Sequence, residues 1–336
     1  MKQYLVTASM MKQYDRNTIE KYHIPSLILM ERAALVTVEE IRRIWGEHPG
    51  RVLVISGTGN NGGDGLAVGR LLMLEACDVT FVLLGEQNKC TEETKRQIDI
   101  VREYGGQIFS TIPDCEYDIV IDAVFGVGLS RNVEGIYMDA IQWINQSGTH
   151  VCSIDIPSGI HTDTGEVMGV AVRADITVTY GFRKLGHMLY PGAVYSGELI
   201  LRRMGIDEHS FLDTRPQWYT HIGYDSRLLP LRRPDGNKGT FGKALLIAGD
   251  SRTAGAAMMA AESAFRIGTG MVKVVTAVEN RESLLQFVPE AMLLTYAADE
   301  GEASGEEYVR SGAFWRELKE AEKWADSILI GPGIGM

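Results

Sequence analysis

The chain has 336 residues, 45% hydrophobic and 23% charged, the balance of a globular protein of about two domains whose cores need no disulfide or metal staple. With 33 basic and 44 acidic residues the net charge is −11, which argues against nucleic acid or an anionic membrane as partner. Cys77, Cys90, Cys115 and Cys152 form no C-x-x-C pair and read as reduced thiols, and no stretch reaches the roughly 18 apolar residues of a membrane span or the apolar core of a signal peptide, so the cytoplasm is the expected location.

In chain order, two helices are expected near 7–22 and 26–46, separated by Pro25 and Ser26 as start signals. An alternation then begins. "RVLVIS" (51–56) reads as a strand, followed after a glycine-rich turn by a helix from about Leu66 to Ala76. "VTFVLLG" (79–85) precedes a helix that Thr91 can cap, with Glu92 and Glu93 favouring its N-terminus. "DIVIDAVFG" (118–126) precedes a further helix, and strands follow at 150–159 and 174–181. Strands alternating with helices predict an α/β fold with a parallel sheet covered on both faces. Residues 207 to 240 hold three prolines and no long apolar period, which places a linker there. A second alternation runs through "KALLIAG" (243–249), a small-residue helix, "MVKVVTA" (271–277) and "ADSILIGPGIG" (325–335). This second α/β part is expected to be incomplete, with the domains spanning 1–222 and 223–336.

Ligands of open α/β sheets sit outside the carboxyl ends of the strands. Asn60, Asn61 and Asp64 follow the first strand of the alternation, Asp122 and Asp155 end two later ones, and Lys184 follows another. The turn "SGTGNNGGDG" carries the G-x-G-x-x-G spacing at Gly57, Gly59 and Gly62, yet its aspartate would repel a phosphate. A cation would offset that charge. Asn61, Asp122 and Ser158 are hard oxygen donors suited to an alkali or alkaline-earth ion and not to zinc. Each residue also has a plainer reading. Asp155 with "PSG" is ordinary turn chemistry, Asp122 can bond a backbone N–H, and Lys184 can be a solvated surface lysine. Glu86 can be either the ribose-binding acid of a dehydrogenase or a surface carboxylate.

"GTGNNGGDGLAVGRLL", "DAVFGVGLSRNVEG", "DIPSGIHTDTGEV" and "ADITVTYGFRKLG" resemble the NAD(P)H-hydrate epimerase (YjeF N-terminal) family in order and spacing. "NKGTFGKALLIAGDSRTAGAAMMAAESAFRIGTGMVKVVT", "VPEAM" and "GPGIG" resemble the start of the ADP- or ATP-dependent NAD(P)H-hydrate dehydratases. The resemblance implies a Rossmann-like three-layer αβα domain followed by an incomplete ribokinase-like one. It implies contacts to the hydrated nucleotide, NADHX or NADPHX, from Asn60, Asn61, Gly62, Gly63, Asp64, Gly126, Val127, Gly128, Leu129, Ser130, Arg131, Asn132, Tyr137 and Asp155. Potassium is implied at Asn61, Asp122 and Ser158, the set that ligand chemistry selects. Ala256 and Gly333, in the 331–335 turn, resemble parts of a second hydrate site, with ADP or ATP as the dehydratase nucleotide.

The expected activity is epimerisation of the 6R hydrate to the 6S form, with Asp155 as acid/base and Lys184 pairing with phosphate or tuning Asp155. Dehydration is expected to need a segment beyond Met336, so that ADP or ATP has no effect on this polypeptide. A homo-oligomer is the expected assembly. The rival readings are an NAD-dependent dehydrogenase, gripping the ribose with Glu86, and a non-catalytic nucleotide-binding module.

Overall fold

A computed structural model describes residues 2–221, 223, 231–296 and 312–335. The chain divides into two compact units, Met1–Asp225 and Ser226–Met336. The expected boundary at residue 222 falls outside the described residues.

The first unit runs β1 (Lys2–Val6), α1 (Ala8–Glu20), α2 (Ser26–Trp45), β2 (Arg51–Ser56), α3 (Asn60–Leu74), β3 (Asp78–Leu83), α4 (Glu92–Glu103), β4 (Ile108–Phe109), β5 (Ile119–Ala123), α5 (Ile136–Gln146), β6 (His150–Ile154), β7 (Ile176–Tyr180), β8 (Arg183–Lys184), α6 (Gly192–Tyr195), β9 (Glu198–Arg202) and β10 (Trp218–His221). Seven of these strands form one sheet in the order β4-β3-β2-β5-β6-β7-β9, with every pair parallel. Successive residues of β2 show how it is covered. Val52 and Val54 pack with Ala33 and Ile41 of α2 and Leu66 and Leu72 of α3, whereas Leu53 and Ile55 pack with Ala140, Ile141 and Ile144 of α5. The two-residue period thus feeds two cores, and three layers result.

Two local features differ from expectation. Helix α3 begins at Asn60 and not near Leu66, so the Asn-Asn-Gly-Gly-Asp-Gly segment forms its opening turns; Gly62 and Gly63 N–H donate to the Gly59 carbonyl at 2.9 and 3.3 Å. Glycine is required there by proximity. A Cβ on Gly62 would lie 1.9 Å from the Gly57 carbonyl oxygen, and one on Gly65 would lie 2.3 Å from the Ala123 Cβ. The region expected as a linker contributes β10, which pairs antiparallel with β1, while β1 also pairs parallel with β8. Val6 is thereby in register with Lys184.

The second unit contains β11 (Lys243–Ile247), α7 (Ala254–Arg266), β12 (Met271–Ala277), α8 (Arg281–Phe287), β13 (Met292–Tyr296), α9 (Ala313–Trp324) and β14 (Ser327–Ile330). Its parallel sheet has the order β13-β12-β11-β14. No described helix is long and apolar enough to cross a membrane. Because the obstacle at Gly62 is backbone on a buried turn, Gly62→Ala is expected to destabilise the first unit by about 1–3 kcal/mol through overpacking. Denaturant unfolding of the two proteins side by side measures this; equal midpoints would contradict the close approach.

Candidate active site

From β2 the chain proceeds through α3 to β3 on one side, and from β5 through α5 to β6 on the other. Adjacent strands that lead off in opposite directions leave a crevice at their carboxyl ends, the place where open α/β sheets hold ligands. A cavity of about 520 Å³ lies there, walled by residues 58–61 and Asp64 from the β2–α3 turn and residues 124–131 from the loop after β5. Tyr137, Asp155, Tyr180, Met204 and Ile206 continue the wall, and α1 adds Met11, Lys12 and Asp15.

Asp155 follows β6 with φ +66°, a left-handed conformation that disfavours a residue with a Cβ and that the surrounding bonds must hold. Its N–H donates to the Val178 carbonyl at 2.8 Å. Its Oδ1 accepts from Thr179 Oγ1 at 3.1 Å, from the Tyr180 N–H at 3.4 Å, and from Lys184 Nζ. Among the described residues no hydrogen bond falls on Oδ2, so one carboxylate oxygen is clamped and the other is open for chemistry. Lys184 is fully buried, and its ammonium also donates to Thr179 Oγ1 at 2.8 Å and the Tyr180 carbonyl at 3.4 Å. These acceptors occupy all three donors of the ammonium. The solvated-surface reading of Lys184 and a phosphate contact from it are both corrected: the lysine is committed to Asp155. Beneath it, His187 Nδ1 accepts the Lys184 N–H at 3.1 Å. Burial, aided by the Lys184 charge, holds that imidazole down at about 3 and therefore neutral.

Two further carboxyls share the cavity. Burial pushes Asp64 well above the usual carboxylate range, the negative charges of Asp155 and Asp15 add to this, and Lys184 opposes it. Asp15 is raised by burial first and then by Asp155, with Lys184 again opposing and Glu93 contributing. Sequence reading missed Asp15, although one signal marked it. Met11, Tyr14 and Thr18 form the buried stripe of α1, and an acid at position 15 falls within that stripe at helical spacing.

Of the Asn61, Asp122 and Ser158 set, Asn61 belongs to the wall and the other two lie behind it. Asp122 is fully buried in β5. Its Oδ2 accepts from Ser153 Oγ at 2.7 Å and the Ser158 N–H at 2.9 Å, while Oδ1 receives only a long 3.4 Å bond from the Val124 N–H. No ion pair among the described residues reaches it, and burial raises its proton affinity against those hydrogen bonds. Ser158 Oγ accepts the Phe125 N–H at 2.8 Å. Among the described residues Asn61 Nδ2 has no hydrogen-bond partner, and its amide lies where a Cβ on Gly126 would come within 3.0 Å of Oδ1. A buried carboxylate with no ion pair among the described residues, beside the neutral side-chain oxygens of Asn61 and Ser158, fits a monovalent cation.

Several expected contacts fall elsewhere. Gly62 and Gly63 are buried away from the cavity, where Gly63 would meet Met30 and Thr94. Asn132 is exposed and lies off the wall, its Cβ near Gly169. Asn60, Asn61, Asp64, Gly126, Val127, Gly128, Leu129, Ser130, Arg131, Tyr137 and Asp155 do line the cavity. Glu86 is exposed, pairs with Lys89 at 2.8 Å and takes no part in the wall. In the second unit Ala256 and Gly333 meet each other: a Cβ on Gly333, which has φ +63°, would lie 2.6 Å from the Ala256 Cβ. The loops after β11 and β14 are joined there by the Gly249 N–H to the Pro332 carbonyl at 2.8 Å.

A parallel three-layer sheet with a polar crevice at its strand reversal defines a Rossmann-like α/β protein with a small-molecule site. Comparison with known proteins specifies which kind. The family described as YjeF-related protein N-terminus matches residues 26–186, and the family described as NAD(P)H-hydrate dehydratase matches residues 244–336. The NAD(P)H-hydrate epimerase of Limosilactobacillus reuteri is 42% identical over 59% of this chain and 93% of that protein. The bifunctional NAD(P)H-hydrate repair enzyme Nnr of Thermofilum pendens is 38% identical over 98% of this chain and 62% of that protein, so the chain spans under two thirds of that relative's length. The crystal structure of yeast YNL200c, at 20% identity and a TM-score of 0.50, covers 55% of this chain and 83% of that one and shares the fold. The chain belongs to the NAD(P)H-hydrate epimerase family, and it carries a dehydratase-family domain as well. That second match places a dehydratase-family domain at 244–336, within the part expected to carry the start of one.

If a monovalent cation binds at Asp122, it stabilises the folded state in proportion to its occupancy. Replacing choline chloride by potassium chloride at constant ionic strength is expected to raise the thermal midpoint of the wild-type protein, and Asp122→Asn is expected to remove the difference. Equal midpoints in the two salts for the wild type would count against the site.

Proposed function

We propose that the first unit epimerises the hydrates of NADH and NADPH, converting the 6R to the 6S form in the cavity at the β2/β5 crevice. The observation that carries this reading is Asp155, clamped through one oxygen by a buried lysine and open through the other, at the carboxyl edge of the sheet. C6 of the hydrate bears a hydroxyl and is bonded to ring N1, so it is a carbinolamine carbon. Its configuration can invert without breaking a C–C bond, through loss and return of water or through ring opening and closure. Either route requires a proton to be moved at the hydroxyl oxygen, and the free Oδ2 of Asp155 is placed to do so. Lys184 keeps Asp155 oriented, and neutral His187 fixes the Lys184 backbone without adding a second positive charge.

The phosphates have their own partners. Gly59 caps α3 with no side-chain bond to the first turn, leaving backbone N–H groups for an anion, and Lys12 and Arg131 line the same cavity. Asn61, Asp122 and Ser158 would hold a potassium ion, which would supply positive charge behind the cavity. For the whole protein, the match at 244–336 supports a companion step, the ADP- or ATP-dependent dehydration of the 6S hydrate, with Ala256 and Gly333 at the hydrate site. A dehydrogenase reading loses its ribose-binding acid, since Glu86 points away to Lys89.

A chiral assay following purified 6R hydrate into the 6S form, against an enzyme-free control for spontaneous interconversion, tests the reading. Asp155→Asn keeps the side chain's size and removes its basicity, so the rate of the folded variant, its stability followed by thermal midpoint, is expected to fall roughly 10²–10⁴-fold with nearly unchanged ligand affinity. A variant within about threefold of wild type would move the proton transfer to another group.

A further inference from the structure

Both routes to inversion need two groups at once, one that gives a proton and one that takes it. We propose that Asp15 on α1 is the proton donor of this site, working against Asp155 as the acceptor. The inference rests on the epimerase reading, and α1 lies outside the matched residues 26–186.

Four observations support Asp15. It faces the same cavity as Asp155, one helical turn beyond Met11, which also lines it. Among the described residues its carboxyl has no hydrogen bond and no ion pair, so it is unspent in the fold. The helix that carries it is fixed at both ends: the Ala8 N–H donates to Asp163 Oδ1 at 2.7 Å, and Asn17 Nδ2 donates to the Ser210 carbonyl at 2.8 Å. Finally, its surroundings favour the protonated form, through burial and the charges of Asp155 and Glu93, with Lys184 opposing. Asp64 lines the same cavity and is the obvious competitor, but it sits one helical turn after Asn61 on α3, beside the proposed cation set, whereas Asp15 enters the cavity from α1, which carries none of that set.

By the water-loss route, the C6–O bond breaks with its electron pair going to oxygen, and the Asp15 proton completes a water molecule. The N1 lone pair forms the C6–N1 double bond. Water then adds to C6 on the other face, its surplus proton passes to Asp155, and the N1–C6 π pair returns to nitrogen. The net transfer of one proton from Asp15 to Asp155 is reset through solvent in the cavity. By the ring-opening route the same pair serves, with Asp155 taking the hydroxyl proton as the C6–N1 bond breaks and Asp15 protonating the released nitrogen.

The test is the pH dependence of kcat/KM and kcat for the wild type, D15N and D15E in the chiral assay, with thermal midpoints measured alongside. The charged groups facing Asp15 are Asp64, Asp155, Lys184 and Glu93, and Lys12, three residues before it on α1, lines the same cavity. A donor must be protonated, so the wild-type rate is expected to fall as pH rises through the Asp15 value. D15N is expected to lose roughly 10²-fold or more in kcat and that basic limb with it, at a near-normal thermal midpoint, while D15E keeps the limb and stays within about tenfold of wild type. If D15N stays within about threefold of an active wild type, or loses only in KM, the proposal is overturned and the epimerase reading stands. If D15E is folded and as inactive as D15N, shape and not proton supply accounts for the loss, which also overturns it. A wild type no faster than the enzyme-free control takes down the epimerase reading and this proposal together.

Discussion

The ion pair between Lys184 and Asp155 is the contact on which the site depends. A fully buried ammonium is tolerable only when its donors are satisfied, and the acceptors come from β7 and from the turn that follows its neighbour β6. Register supplies them: β6 delivers Asp155, β7 delivers Thr179 and Tyr180, and the pairing of β1 with β8 seats Lys184. Removing one member of such a pair leaves the other buried and uncompensated, which costs about 3–5 kcal/mol. The same clamp keeps Asp155 in a left-handed backbone conformation, so stability and chemistry are tied at one residue.

On the proposed reading an acidic chain has to hold an anionic nucleotide, and its charges must be managed locally. Three carboxyls share the cavity with one buried lysine, an arrangement that would repel a phosphate if all were ionised. Burial resolves part of this by favouring the neutral form of Asp64. Distribution resolves the rest, because the phosphate-compatible groups (the α3 N-terminus, Lys12 and Arg131) come from other segments than Asp155. A cation at Asp122 would add positive potential behind the wall. Fixed dipoles and buried charges of this kind keep their strength in salt better than exposed pairs such as Glu86–Lys89 do.

The alternation of apolar strands with helices was legible because it repeats with clear punctuation, and the diagnostic Asn-Asn-Gly-Gly-Asp-Gly segment located the crevice. Its conformation was not legible. Glycines and asparagines suggest a loop by propensity, yet tertiary contact with the Gly57 carbonyl and Ala123 makes that segment helical. Short strands such as β8 and β10 were hidden for a similar reason: their partner β1 lies about 180 to 220 residues away in sequence, and nothing local announces the pairing. The state of Lys184 was equally invisible, since its burial depends on acceptors brought together from β7 and the turn after β6. Asp15 could have been found, because an acid on an otherwise buried helical stripe breaks the local pattern, and such breaks gather at functional sites.

The second unit repeats the placement rule with different chemistry. Its strand order also reverses between two neighbours, β11 and β14, and the two implied residues, Ala256 and Gly333, fall at that reversal. No acid and base comparable to Asp155 and Lys184 are implied there. What the geometry requires is small residues: Gly333 occupies a positive φ and comes so close to Ala256 that any side chain would displace α7 from the turn.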